Sequence, residues 1–280
     1  MARPTQQSTV GRGPAIALAL VFSLLYAPLI YLLYASFNAN PLSTAWQGFT
    51  TQWYSQALHD PTIRRATSTS IRLAVAASVG SMVVGTLIGV AARRTPWLRR
   101  VSLALAGARV AAPEIIIATG LAVLLPLINL SFGFRVMLIA HVAYLSAYVA
   151  LIVGARAAGA DRSHEEAALD LGASRWQVLR DIVLPDLRPA IISATLLAAA
   201  FSFDDVALSN ALRGPRNDTL PVYLFSAVQR RVSPTIHAIG VLVIVVGALA
   251  FGGAIIAGRA SRADPVTQAM PEQRRTIVEQ

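Results

Sequence analysis

The chain contains neither cysteine nor lysine. Without cysteine there is no disulfide framework, no thiolate zinc site and no cysteine nucleophile. Without lysine there is no phosphate-binding loop of the GxxxxGK[ST] kind and no Schiff-base lysine. If the protein takes part in ATP-driven work, another chain must bind the nucleotide. Charge is also scarce: 14% of the 280 residues are charged and 55% are apolar, against about 25% charged in an ordinary soluble domain. With a mean hydropathy of +0.57, the composition argues against a single soluble globule. All 24 basic residues are arginine, set against 14 acids for a net charge of +10. Nucleic-acid binding would concentrate that charge on one face or in one tail. Here the arginines fall in short clusters between long apolar runs, the pattern of a membrane protein.

A helix crossing a bilayer needs roughly 20 mostly apolar residues. Six stretches qualify: Pro14–Ser36, Ser70–Ala92, Val101–Ile128 (with a charge inside it), Phe134–Ala158, Leu187–Asn210 and Thr235–Gly258. The apolar part of the first is longer than a signal-peptide core and five more spans follow, so it reads as uncleaved. The expected fold is therefore all-α, an integral membrane bundle of six transmembrane helices. Residues 1–13 form an N-terminal tail, 14–258 the membrane domain, and 259–280 a tail without an apolar face, expected to be disordered. Ser81, Gly85 and Gly89 form a ladder of small residues on the second span, a pattern that lets helices approach closely.

Basic loops stay in the cytoplasm. The N-terminus, the loops after spans two and four, and the C-terminal tail together carry fifteen arginines, and the other side carries eight. Both termini are therefore expected in the cytoplasm. Asp60-Pro61 reads as the cap of a periplasmic helix feeding span two.

The loop from Arg156 to Arg188 holds five arginines and six acids, so it is solvated. Ser163 with Glu166 reads as a capping box for a helix over Glu165–Leu171, and Gly172 as its C-terminal cap. Ser174 with Gln177 reads as a second box, and Val178, Leu179, Ile182 and Val183 recur at helical spacing. Pro185 and Pro189 are expected to break the chain before span five.

Within that loop, Glu166-Ala167-Ala168, three residues, Gly172, nine residues, Ile182, one residue and Leu184-Pro185 match the pattern EAA-x3-G-x9-I-x-LP at every defined position. The chain thereby resembles the permease subunits of binding-protein-dependent ABC importers. The resemblance implies that this loop is the coupling helix, docking in a groove of an ATPase subunit through Glu166, Ala167, Ala168, Gly172, Ile182, Leu184 and Pro185. Over nearly the whole chain it is similar to one branch, the spermidine/putrescine permeases of the C-type subunit. Ser36-Phe37-Asn38 with Trp46-Gln47-Gly48-Phe49-Thr50 and Trp53-Tyr54, Ala112-Pro113-Glu114-Ile115, Ser202-Phe203-Asp204-Asp205-Val206 with Ser209, Gly214-Pro215, Leu220-Pro221 and Val232-Ser233-Pro234 carry that likeness.

A carboxylate within a bilayer costs roughly 2.5–3.5 kcal/mol on insertion scales and is tolerated facing a cavity or a partner. Three acids stand in spans: Glu114, about halfway along the third, and Asp204 and Asp205 toward the periplasmic end of the fifth. A polyamine calls for spaced carboxylates and for aromatic faces beside its methylene stem. Trp46, Glu114, Ser202, Asp204 and Asp205 are the candidate pathway residues, with Phe201 and Phe203 as aromatic candidates. Two readings of Glu114 stand, a pathway carboxylate or an ion pair with Arg109 or another helix. The two aspartates are either pathway groups or a solvated helix end. Neighbouring helical residues point about 100° apart, so at most one of the pair faces a pathway directly. His141 has no second histidine at ligand spacing and reads as a packing or hydrogen-bonding group; no metal site is expected.

The resemblance implies a heterodimer with a sister permease, two ATPase subunits, a periplasmic or lipid-anchored substrate-binding protein and surrounding membrane lipids. No nucleic acid is implied. No cofactor is expected on this chain, with ATP and magnesium on the partner ATPase, and no catalysis. The cargo it implies is a small cation, a polyamine foremost. Other importer substrates (iron, thiamine, an opine, a phosphonate) and a proton-coupled carrier using Glu114 and Asp205 are the alternatives. A membrane-bound enzyme would need a nucleophile–base pair or metal ligands at recognisable spacing, and none is seen.

Overall fold

A computed structural model describes residues 12–42, 45–230 and 233–263. The described chain is helical but for one isolated antiparallel bridge between Asn38 and Phe49. The N-terminal tail and residues 264–280 of the C-terminal tail lie outside the described residues; the helix before the latter runs on to Ala263. The chain forms two units, one made of residues up to Leu58 with those from Arg231, the other of His59–Arg230.

In the first unit, α1 (Arg12–Ser36) is apolar all round. Leu18, Leu20, Val21 and Ile30 point in different directions about its axis, and all are exposed. A helix with no polar face suits lipid rather than water. The loop after it is organised by Asn38. Its Oδ1 accepts from the backbone N–H of Asn40 and Gln47, both at 3.0 Å. Its Nδ2 donates to the Ala45 carbonyl at 2.8 Å, and its own carbonyl accepts from Trp53 Nε1 at 2.8 Å. Trp53 stands in the first turn of the short α2 (Gln52–His59).

Near the start of the second unit stands Asp60, whose carboxylate accepts from Thr62 N at 2.7 Å and Ile63 N at 3.1 Å with Pro61 in the first turn. This cap launches α3 (Pro61–Ala92). The expected periplasmic helix and second span are one unbroken helix, since no breaker stands between them. The expected third span is divided into α4 (Pro96–Ala111) and α5 (Glu114–Leu127). Pro113 lacks the N–H that would continue the first helix and disfavours helical backbone at Ala112. The fourth span is α6 (Phe134–Ala158), with the expected boundaries.

Two short helices follow, α7 (Ser163–Asp170) and α8 (Arg175–Val178). A five-residue π-helical turn, Leu179–Val183, joins α8 to α9 (Leu184–Asp204). Here two expectations are corrected. Pro185 and Pro189 do not break the chain: apolar helix is continuous from Arg175 to Asp204. At Pro185 the π turn accounts for this, because its widened ring, closed by Leu184 N to Leu179 O, gives room where the proline would crowd a preceding carbonyl; Pro189 stands inside α9. Ser163 makes no capping bond to its helix; its hydroxyl donates to Asp161 Oδ2 at 2.9 Å instead.

The fifth span ends at Asp204, and the chain turns through an extended Asp205 into α10 (Ala207–Leu212). Then come α11 (Leu220–Arg230), which is tied to α3 by Leu220 N donating to Ser70 Oγ at 2.8 Å, and, back in the first unit, α12 (Pro234–Ala263).

Helices α3, α6 and α9 make the core of the second unit. The ladder on α3 meets α6: a Cβ at Gly85 would lie 2.5 Å from Val149 Cβ, and one at Gly89 3.0 Å from the Ala150 carbonyl. Leu145, Val149 and Val153 of α6 share a core with Leu187, Ala194 and Ala198 of α9 and with Val178 and Val183 beyond the span. The loop segment after Ser174 is thus anchored in the bundle core. A second cluster joins Ala118 and Leu125 of α5 to Met137 of α6 and to Leu208 and Leu212 of α10. In length and composition, α1, α3, α6 and the Arg175–Asp204 segment each suffice to cross a membrane, and α5 and α12 contribute shorter apolar stretches.

Candidate coupling surface and intramembrane polar cluster

The loop between α6 and α9 folds as a helix, a glycine turn and a second helix. Gly172 stands at φ +87° with open space around it. Its N–H donates to Leu169 O at 2.9 Å and that of Ala173 to Ala168 O at 3.0 Å, the paired bonds of a Schellman cap. The second box forms as expected: Ser174 Oγ accepts from Gln177 N, and the Gln177 side chain accepts from Ser174 N at 2.7 Å. Ahead of α7, Asp161 accepts from both the backbone and the hydroxyl of Ser163, and these bonds hold its carboxyl below the usual carboxylate range.

The loop has two faces. Outward lie Glu166 and Ala167, with Leu171 at 90% exposure and Trp176 at 65%. Large apolar side chains standing free on a charged loop mark an interaction surface. Inward lies Glu165, which accepts from Arg93 Nη2 at 2.7 Å and Arg94 Nη2 at 3.2 Å. Ala168 packs partly buried against the bundle core, and Ile182 and Leu184 are half-buried. Pro185 stands in the first turn of α9. The motif residues therefore divide. Glu166, Ala167 and Gly172 present the surface; Ala168 packs on the bundle core, and Ile182, Leu184 and Pro185 are half-buried.

The second site lies where α9 ends. His141 of α6 is buried, with Nδ1 2.9 Å from Ser202 Oγ, and Nε2 3.3 Å from Asp205 Oδ2 and 3.4 Å from Ser209 Oγ. With the proton on Nε2 the ring donates to Asp205 while Nδ1 accepts from the Ser202 hydroxyl. Asp205 also takes up the first turn of α10, accepting from Leu208 N at 3.2 Å and Ser209 N at 2.7 Å. It is only 8% exposed. Its charge is satisfied internally by three groups, His141 of α6 and the Leu208 and Ser209 N–H groups of α10.

Residues 81–259 match the family described as the inner-membrane component of binding-protein-dependent transport systems. The chain belongs to this family. The permease is 35% identical over 258 residues, 88% of its length and 91% of the relative's, to the putrescine transport system permease protein PotI of Escherichia coli K12. It is 33% identical over 230 residues (80% and 86%) to the spermidine/putrescine transport system permease protein PotC of the same organism. Its fold is similar to a chain of a bacterial ABC transporter involved in alginate import, with a TM-score of 0.67, 18% identity, and 91% of this chain and 98% of that one covered. The fold is that of an ABC importer permease of type I, a multi-pass membrane component. The chain is a transport subunit, and ATP hydrolysis resides on a partner chain.

The remaining candidate residues of the permease are separate. Asp204, the last residue of α9, is exposed, in contrast to its neighbour. Glu114 is half-buried in the first turn of α5, not midway along a continuous span, because Pro113 starts a new helix there. It precedes by one turn Ala118, which packs toward α10. Arg109, its alternative partner, lies in α4, and its side chain is outside the described residues. Trp46 belongs to the first unit, where its ring packs on Tyr34 with centroids 4.8 Å apart. Phe201 packs on Tyr148 at 5.3 Å, and Phe203 is half-buried. No group of three or more metal-ligating side chains occurs among the described residues.

Sequence reasoning missed Glu165, Arg93 and Arg94 as a set, the apolar pair Leu171 and Trp176, and the hub role of His141. A tryptophan and a leucine on a loop this rich in charge were a usable signal. The arginine clamp carried none, since its members lie 71 and 72 positions from Glu165.

Proposed function

We propose that this permease pairs with a sister permease to form the pathway for a small cationic solute, a polyamine such as putrescine or spermidine. The observation that carries the reading of cargo is the likeness to PotI and PotC, which spans most of the chain at 33–35% identity. Asp204 adds chemical support: it is a carboxylate at the end of a span, exposed where Asp205 beside it is internally satisfied. An ammonium group meeting Asp204 gains a charge-assisted hydrogen bond. Trp46 offers an exposed ring for the methylene stem or for cation–π contact.

Two ATPase subunits dock beneath the membrane domain, one of them on the outward face of α7 and the Leu171–Trp176 turn. They bind ATP and magnesium, since this lysine-free chain has no phosphate loop of the GxxxxGK[ST] kind. Closure of the ATPase dimer on ATP moves the coupling loops and switches the spans from inward-facing to outward-facing; hydrolysis resets them. The solute arrives on a periplasmic or lipid-anchored binding protein. Arginine placement puts both termini in the cytoplasm.

The test is uptake of radiolabelled putrescine and spermidine in a strain whose other polyamine importers are deleted. Asp204→Asn is expected to lower uptake at least tenfold with the protein still in the membrane, and Glu166→Lys to abolish it. Wild-type polyamine uptake in a strain lacking this chain, or restored uptake of an anionic solute alone, refutes the proposed cargo.

A further inference from the structure

Helix α7 carries the outward coupling face, yet it has almost no apolar grip on the bundle. Its one buried residue is Glu165. That carboxylate is held between Arg93, the residue capping the C-terminal end of α3, and Arg94 beside it. The Arg93 and Glu165 side chains are 4% and 6% exposed, whereas that of Arg94 is 53% exposed. Arg93 Nε has no hydrogen-bond partner, which leaves its Nη2 contact to Glu165 as the means of neutralising a buried guanidinium. Arg162, just before α7, adds a bond from Nη2 to the Arg93 carbonyl at 3.2 Å. Across the same region Arg156 of α6 pairs with Asp186 of α9 at 2.8 Å, but both are about half exposed, and such a pair contributes little.

We propose that Glu165 is a positioning residue for energy coupling: clamped by Arg93 and Arg94, it joins α7 rigidly to the cytoplasmic end of α3, so that displacement of the loop is delivered to the helix at the centre of the bundle. Glu165 lies outside the defined positions of the EAA pattern. Its neighbour Glu166 points away and is free for the partner. The two carboxylates divide the task, one facing the ATPase and one facing the bundle. The inference rests on residues 156–188 being the coupling loop.

The test uses the assembled importer in membranes, read by putrescine uptake, by ATPase retention and by ATP hydrolysis with and without substrate-loaded binding protein. In Glu165→Gln the ATPase is expected to stay bound, uptake to fall at least tenfold, and hydrolysis to stop responding to the loaded binding protein. A purely structural role would instead lower assembly and leave the response of the remaining complexes intact. Because the chain has no cysteine, the pair Arg93→Cys and Glu165→Cys can be bridged selectively by a short bismaleimide. The unbridged pair is expected to be uncoupled and the bridged pair to regain uptake, a result that decides the matter even where Glu165→Gln fails to assemble. Wild-type coupling in assembled Glu165→Gln, or a bridged pair as inactive as the unbridged one, overturns the proposal. Glu166→Lys separates the two ideas. If it is inactive while Glu165→Gln is normal, the clamp alone is wrong; if it transports normally, the coupling reading itself fails.

Discussion

Gly85→Ala offers a direct measure of how closely α3 and α6 approach. The added Cβ would stand 2.5 Å from Val149 Cβ and 2.8 Å from the Ser146 carbonyl oxygen. Carbon atoms rest about 3.5–4.0 Å apart, so the shortfall is about 1 Å. Neither neighbour is the far end of a flexible side chain, so relief requires the helices to part. A gap of that size forfeits about a quarter to a half of each contact along the seam. Overpacking of this kind costs about 1–3 kcal/mol, and the rigid neighbours place Gly85 near the upper limit. Alanine returns about 1 kcal/mol of helix propensity, for a net loss of about 2 kcal/mol. Gly120→Ala in α5, where a Cβ meets nothing within 4 Å, keeps the propensity gain alone. The two variants should therefore differ by about 3 kcal/mol, roughly a hundredfold in the unfolding equilibrium. Denaturant titration of the detergent-solubilised protein measures this, and equal midpoints for the two variants would refute the packing argument.

Other outcomes follow from the same geometry. His141→Ala removes the partner of Ser202 and Asp205 in a buried cluster and should destabilise the fold by about 1.5–3 kcal/mol, whereas Asp204→Asn should leave the melting temperature unchanged; comparable losses in both would show that the exposed and buried aspartates are not distinguished. Gly172→Ala meets no steric neighbour but holds φ at +87°, so it should cost about 1–2 kcal/mol from conformation alone; faster amide exchange at Ala173, without global unfolding, is the signature to look for. In Ser163→Ala the Asp161 carboxyl, now held low partly by that hydroxyl, should titrate at a higher pH. A carboxylate depressed on folding stabilises above its unfolded value and loses that contribution as pH falls through its folded one; carboxyl NMR shifts across the acid range check the direction.

Much of the architecture was legible because it is local. Long apolar runs mark spans whatever they pack against, and Phe134–Ala158 is helical over the range that its composition implied. Asp60-Pro61, Ser174 with Gln177, and Gly172 act on backbone groups within four residues, and each does as its chemistry suggests. The failures are local conflicts resolved by context. Pro113 lacks the N–H that a helix interior needs, yet the length of the apolar run concealed that it divides the third span. Pro185 and Pro189 signalled a break, but the helix runs on through both, with a π turn making room at Pro185. Ser163 found Asp161, two residues back, in place of its own helix.

The sequence by itself determined that this is a lysine-free, many-span permease with an EAA loop, because hydropathy, charge placement and motif spacing need no knowledge of what touches what. Only the tertiary structure decided which member of each acidic pair turns inward. Glu165 and Glu166, and likewise Asp204 and Asp205, are adjacent and chemically alike. Their fates diverge because helical neighbours point about 100° apart and a chain break can turn one of them aside. The partners that stabilise a buried carboxylate come from distant stretches of chain, Arg93 from 72 positions away and His141 from another span. No local pattern encodes that encounter; it exists only once α3, α6 and α9 have packed.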